Sequence, residues 1–128
     1  MGVILVVDDE PVTQLMLGLM LQRSNYKVIT AVDGQEAMNH LANEQIDLAI
    51  IDVNMPKMDG MTMLQRLRAD KRYENLPVIM FTAQGQERVR QEAAQKGATG
   101  FLTKPASSGE VTSTVARYLS IAPAAAAA

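Results

Sequence analysis

Val3-Ile4-Leu5-Val6-Val7-Asp8-Asp9 is a run of branched apolar residues that stops on two carboxylates. Branched side chains favour an extended strand, and the lack of polar alternation predicts a strand buried on both faces. Three more apolar runs end on a polar side chain. Ala49-Ile50-Ile51 ends on Asp52, Val78-Ile79-Met80-Phe81 on Thr82, and Phe101-Leu102-Thr103 on Lys104. If these runs are neighbouring parallel strands, Asp8, Asp9, Asp52, Thr82 and Lys104 meet at one edge of a sheet.

Strands are predicted over residues 3–7, 27–31, 46–51, 78–82 and 100–103, with helical periodicity between them. Val12, Leu15, Met16, Leu19 and Met20 form one helical stripe, with Pro11 suited to its first turn. Ala37, Met38, Leu41 and Ala42 form a second after the Asp33-Gly34 turn, and Met63, Leu64 and Leu67 a third. Val111, Val115, Tyr118 and Leu119 form a fifth, opened by Ser107-x-x-Glu110, the pattern of a capping box. The fourth helix, about residues 86–96, offers only Val89, Ala93 and Ala94, so it buries little area and docks weakly. Met16, Met20, Met63 and Met80, among nine methionines, fall at positions expected to pack in the core.

Strand–helix units joined by short connections imply an α/β fold with a parallel sheet and helices on both faces. Five such units fit the flavodoxin-like, doubly wound (βα)5 arrangement with strand order 2-1-3-4-5. The mixed run Lys27-Val28-Ile29-Thr30 suits an edge. In this order a ligand crevice lies beyond the carboxyl ends of strands 1 and 3, where Asp8, Asp9 and Asp52 sit.

A chain of 128 residues fits one domain, taken as residues 1–121. Pro123 and the alanines after it make residues 122–128 a low-complexity tail, either a linker stub or an expression scar. With a net charge of −2, the chain has no electrostatic footprint for nucleic acid or anionic membrane. Its densest basic stretch, Arg66, Arg68, Lys71 and Arg72, falls where a helix end accommodates cations. The absence of cysteine excludes disulfides, thiolate metal sites and cysteine nucleophiles, and permits a cytoplasmic location. No apolar run reaches the roughly 20 residues of a membrane span, and no secretory leader is expected. Val6 stands where a myristoylation signal at Gly2 would need a hydroxyl.

Three clustered carboxylates repel: at roughly 4 Å and an effective dielectric near 20, each pair costs about 4 kcal/mol. A cation offsets this, and an all-oxygen donor set points to a hard metal, Mg²⁺, for which Mn²⁺ can substitute. Asp8 or Asp9 could instead cap the helix opening at Pro11, but that role leaves Asp52 and Lys104 unexplained. Lys104, before Pro105, supplies a fixed positive charge for phosphoryl oxygens as well as an ion pair. The Thr82 hydroxyl, beside the small Ala83, can hydrogen-bond an anion.

Asp8-Asp9, Ile51-Asp52-Val53-Asn54-Met55-Pro56-Lys57-Met58-Asp59-Gly60, Thr82-Ala83 and Lys104-Pro105 together resemble the signature of the receiver domain of two-component response regulators. The resemblance covers residues 3–121. It implies that Asp52 is the phosphoacceptor, taking its phosphoryl group from the phosphohistidine of a histidine kinase or phosphotransfer protein. Asp9 and Asp52 would ligate Mg²⁺ with the backbone carbonyl of Asn54, and Asp8 would act through a metal-bound water. Lys104 and Thr82 would bind phosphoryl oxygens. Phe101 matches an aromatic switch position that follows Thr82, so helix 4, strand 5 and helix 5 would signal to a downstream protein or output domain. Phe101 lacks the hydroxyl of the commoner tyrosine, Thr103 stands where an apolar residue is usual, and Asn54 and Gln84 occupy positions that tune autodephosphorylation.

Two other classes meet obstacles. A haloacid-dehalogenase-like phosphatase wants an Asp-x-Asp nucleophile after strand 1, but Glu10 and Pro11 follow Asp9 here. A flavodoxin-type flavin binder wants a phosphate loop where this chain has acids. His40, the one histidine, lies mid-helix and reads as a solvated side chain.

Overall fold

Each apolar run becomes a strand of a single parallel sheet in the computed structural model, which describes residues 2–83 and 85–120. The strands are β1 (Val3–Val7), β2 (Lys27–Ala31), β3 (Leu48–Ile51), β4 (Val78–Thr82) and β5 (Gly100–Thr103). They alternate with α1 (Pro11–Arg23), α2 (Gly34–Asn43), α3 (Gly60–Ala69), α4 (Glu87–Gln95) and α5 (Ser108–Ser120). The sheet order is β2-β1-β3-β4-β5, as the sequence predicted.

Alternation of side chains across the sheet sorts the core into two layers. Leu5, Val7, Ala49, Ile51, Val78 and Met80 face α2, α3 and α4, where they meet Ala37, Leu41, Met63, Leu64, Leu67, Val89 and Ala93. Ile4, Val6, Leu48, Ile50, Ile79 and Phe81 face α1 and α5, meeting Leu17, Leu21, Val111 and Val115. Both layers need β1, β3 and β4 to be apolar on each face. The register then sets the functional edge. Val7 pairs with Ile51, so Asp8 and Asp52 leave adjacent strands at the same level. Thr82 pairs with Thr103, and the Lys104 amide donates to the Thr82 carbonyl at 2.8 Å.

The capping box at α5 and the sparse burial of α4 are as expected, and further local features stand beside them. Asp33 caps α2 through the Glu36 amide, and Asp59 caps α3 through the Thr62 amide. The capping box at α5 is reciprocal, with Ser107 Oγ and Glu110 Oε1 each accepting from the other residue's amide at 3.1 Å. Helix α4 buries only Val89 and Ala93. The Lys104–Pro105 peptide is cis.

Helix α1 differs from expectation. Val12, Leu15, Met16 and Leu19 are 69%, 64%, 48% and 48% exposed, and the buried positions are Leu17 and Leu21. Met20 is half-buried against the α1/α5 layer, so of the four methionines read as core only Met16 faces solvent. The helix carries apolar residues on more than one face, so periodicity does not choose between them. The sheet and α5 do, and an apolar stripe of about two turns remains bare. Ala42 and Ala94 are also exposed. Strand β3 starts at Leu48 rather than residue 46, where Asp47 Oδ2 accepts the Val3 amide at 2.8 Å. Residues 122–128 and Gln84 lie outside the described residues.

The basic stretch closing α3 has a further role. Arg68, half-buried, donates to the Gly97 and Tyr73 carbonyls at 2.8 and 2.9 Å and to Thr99 Oγ1 at 3.3 Å. Desolvation pushes its guanidinium pKa down. One side chain thus ties α3 to the turn leading into β5, a long-range contact that local charge patterning does not reveal. Arg72 pairs with Asp70 at 2.8 Å on the surface.

Candidate functional site

The ends of β1, β3 and β5 deliver Asp8, Asp52 and Lys104 to one point. Lys104 Nζ lies 2.8 Å from Asp8 Oδ2 and 3.2 Å from Asp52 Oδ2. Both carboxylates are buried, at 1% and 6% exposure. Each also accepts a backbone amide: Asp8 Oδ1 from Glu10 at 2.9 Å and Asp52 Oδ1 from Asn54 at 3.1 Å. The Asp8 contact fixes the turn into α1, but neither Asp8 nor Asp9 occupies the cap position, which belongs to Glu10.

Burial pushes the Asp52 carboxyl above its ordinary value of 3.8, against the Asn54 hydrogen bond and the Lys104 charge, while the Asp8 charge adds to the rise. For Lys104, burial works to lower the pKa. The hydrogen bond to Asp8 and the charges of Asp52 and Asp8 outweigh it, so the ammonium is held firmly protonated.

The backbone around Asp52 has little slack. A Cβ at Gly60 would run into the Asp52 carbonyl oxygen, and the Gly60 amide donates to the Val53 carbonyl at 2.9 Å. This accounts physically for glycine after Asp59. Lys57 holds φ at +67° in the same loop. On the β1 side, Gln14 Nε2 donates to the Asp8 and Ala31 carbonyls at 2.6 and 3.1 Å, pinning the turn where β1 and β2 end. Nothing in the sequence singles Gln14 out.

The remaining predicted residues divide. Thr82 is fully buried at the end of β4. Phe101 is half-buried against the α2–α4 layer, and the Arg90 guanidinium of α4 sits 5.1 Å from its ring centre. Asn54 is exposed, and so is Thr103, whose Cγ2 blocks any side chain at Gly85. Asp9 is exposed at the mouth. Among the described residues, the carboxylates that converge are Asp8, Glu10 and Asp52, with ligand oxygens within 4.8 Å of one another. Glu10 was not among the expected site residues. Its Oε1 lies 3.2 Å from Lys104 Nζ. An all-carboxylate donor set without His or Cys fits a hard divalent cation such as Mg²⁺. His40 lies away from this cluster on α2, 2.8 Å from Glu44 and 3.9 Å from Glu36.

Comparison with known proteins agrees with this geometry. A family model described as the response regulator receiver domain matches residues 4–116. The alkaline phosphatase synthesis transcriptional regulatory protein PhoP of Bacillus subtilis (strain 168) is 40% identical over 116 residues, 91% of this chain and 48% of PhoP. The chain spans about half the length of such curated relatives. The chemotaxis protein CheY4 of Vibrio cholerae superposes with a TM-score of 0.88 at 35% identity, over 92% of this chain and 98% of that one. The receiver domain of the sensor histidine kinase PA1611 from Pseudomonas aeruginosa PAO1, with magnesium in its active-site cleft, gives 0.86 at 28% identity, over 93% and 98%. With the strand order, the paired acids and the strand-end lysine in place, the chain belongs to the response regulator receiver domain family.

Proposed function

We propose that this chain is the phosphoacceptor module of a two-component relay and that Asp52 carries the phosphoryl group. The supporting observation is the Lys104 ammonium bridging the buried Asp8 and Asp52 carboxylates at the ends of neighbouring strands. An Asp52 oxygen attacks the phosphorus of a phosphohistidine. The O–P bond forms as the N–P bond breaks, and the imidazole nitrogen takes the electron pair and a solvent proton. Asp9, Asp52 and the Asn54 carbonyl would hold Mg²⁺, with Asp8 acting through a bound water. The ion supplies positive charge that screens the phosphoryl oxygens from the acids. Lys104 and the Thr82 hydroxyl bind those oxygens as charge gathers on them.

The module phosphorylates and dephosphorylates itself and turns over no external substrate. Incubation with Mg²⁺ and acetyl phosphate is expected to load one phosphoryl group per chain. Repeated turnover on phosphomonoesters would favour a phosphatase instead.

The bare stripe of α1 supplies a docking surface for the phosphodonor. Val12, Leu15, Met16 and Leu19 begin one residue beyond Pro11, at the mouth of the site, and Val32 adds another 46% exposed apolar side chain. An apolar strip of this kind suits a helix of the donor. Replacing Leu15 and Leu19 by Asp is expected to slow transfer from a phosphohistidine protein by at least about thirtyfold, the scale of an interface hot spot. Uptake from acetyl phosphate, which needs no docking, should fall far less. Equal losses with both donors would remove α1 from the interface.

The output face is α4, β5 and α5, recognised by a downstream protein or an output domain. Drawing Thr82 toward the phosphoryl group shifts the segment after it, and the sparsely anchored α4 yields first. The Arg90–Phe101 contact couples that helix to β5. Hydrogen exchange across α4 and β5 is expected to change on phosphorylation more than across β1 and β3. Unaltered exchange in both α4 and β5 would refute this output face.

A further inference from the structure

We propose that Glu10 is the resting counter-ion of Lys104 and that the incoming phosphoryl group displaces it, making Glu10 a positioning residue that sets how readily the lysine is released. The proposal rests on the Asp52 and Lys104 roles above. A lysine ammonium has three N–H donors. Three carboxylate oxygens already surround this one, from Asp8 at 2.8 Å, Glu10 at 3.2 Å and Asp52 at 3.2 Å. A phosphoryl oxygen can therefore reach Lys104 only if one carboxylate gives way. The side chains of Asp8 and Asp52 are 2% and 7% exposed, whereas that of Glu10 is 63% exposed. Glu10 can swing into water and be solvated there, while Asp8 would have to leave a buried position and Asp52 stays in place as the group that carries the phosphoryl.

The rest of the Glu10 environment frees it for this role. It occupies the N-cap of α1 yet makes no side-chain capping bond, and Pro11 follows it without an N–H to cap. Its backbone amide already holds Asp8 Oδ1. The side chain thus carries no part of the helix terminus, and neutralising it should leave α1 intact. In the resting site Glu10 adds negative charge beside Asp8 and Asp52, where the phosphoryl oxygens must later sit.

Beryllofluoride, which adds to a carboxylate as a phosphoryl mimic, tests this at saturating Mg²⁺ by calorimetry and amide NMR. Glu10→Gln is expected to bind it about fivefold more tightly than the wild type, the upper end of what an exposed ion pair contributes. The gain should shrink at high salt. Glu74→Gln, an exposed charge beyond the far end of α3, serves as the control and should not change binding. If the wild type fails to bind beryllofluoride, the phosphoacceptor reading itself is wrong. If the wild type binds and Glu10→Gln binds equally or more weakly, only the displacement by the phosphoryl group is overturned. A separate Mg²⁺ titration of both proteins, without beryllofluoride, shows whether a weaker result comes from lost metal affinity, which would make Glu10 a metal partner and also overturn the proposal.

Discussion

Replacing Asp52 with Asn is expected to abolish phosphoryl uptake from acetyl phosphate or a phosphohistidine donor, by on the order of a thousandfold or more, because the proposed nucleophile is gone. The same change should stabilise the metal-free protein. Burial raises the Asp52 carboxyl pKa above 3.8, so the folded state binds this proton more readily than the unfolded chain does. Ionising the group therefore costs stability. The cost appears as pH rises from 3.8 through the raised value and is fully present at neutral pH. Asparagine keeps the shape without the charge, and a gain on the order of 1 kcal/mol follows, or roughly 3–5 °C in Tm at this chain length. Thermal melts in chelator would show the gap between the two proteins closing as pH falls toward 3.8. A variant less stable than wild type at pH 7 would mean that the Asp52–Lys104 attraction outweighs the burial cost.

Lys104→Met is expected to act in the opposite direction. It leaves Asp8 and Asp52 buried without their cation, at a cost of about 3 kcal/mol, or roughly 10 °C in Tm. Lys104 has its pKa raised above 10.5 through Asp8 and Asp52. With both carboxylates ionised, its stabilisation is therefore full up to that value and fades only as pH rises through the raised folded value, so the whole loss should be visible at neutral pH. Mg²⁺ should restore much of it, because a divalent ion now neutralises the acids without a neighbouring ammonium to repel it. The variant should bind Mg²⁺ more tightly than wild type while taking up phosphate about 100-fold more slowly, the scale of one lost electrostatic donor. Melting curves with and without Mg²⁺ separate the two effects. A variant as stable as wild type in chelator would contradict the charge balance described for the site.

The parts legible in the sequence were those fixed by continuous burial or by strand position. β1, β3 and β4 are apolar on both faces, so their runs gave their central place in the sheet and, for β1 and β4, their extent as well. Their ends then located Asp8, Asp52 and Thr82, and the end of β5 located Lys104. Helix α1 was not legible in this way, because Val12, Leu15, Met16 and Leu19 satisfy the same period as a core face and only the packing of Leu17 and Leu21 shows which side is covered. Glu10 was passed over because its place in the site depends on a side-chain direction, toward Lys104 rather than toward the helix amides. In the sequence Arg68 is one of several cations at a helix end, and its partners Gly97 and Thr99 lie about 30 positions away and meet it only in the folded chain.

The most direct test of the account is to identify the residue modified after Mg²⁺-dependent phosphorylation. Borohydride reduces an acyl phosphate to an alcohol, so aspartyl phosphate becomes homoserine, which peptide mass spectrometry can place. The expected result is homoserine at position 52 and nowhere else, present with Mg²⁺ and lost in chelator. Homoserine at position 8 or 9, or a phosphoryl group that borohydride does not convert, would contradict it.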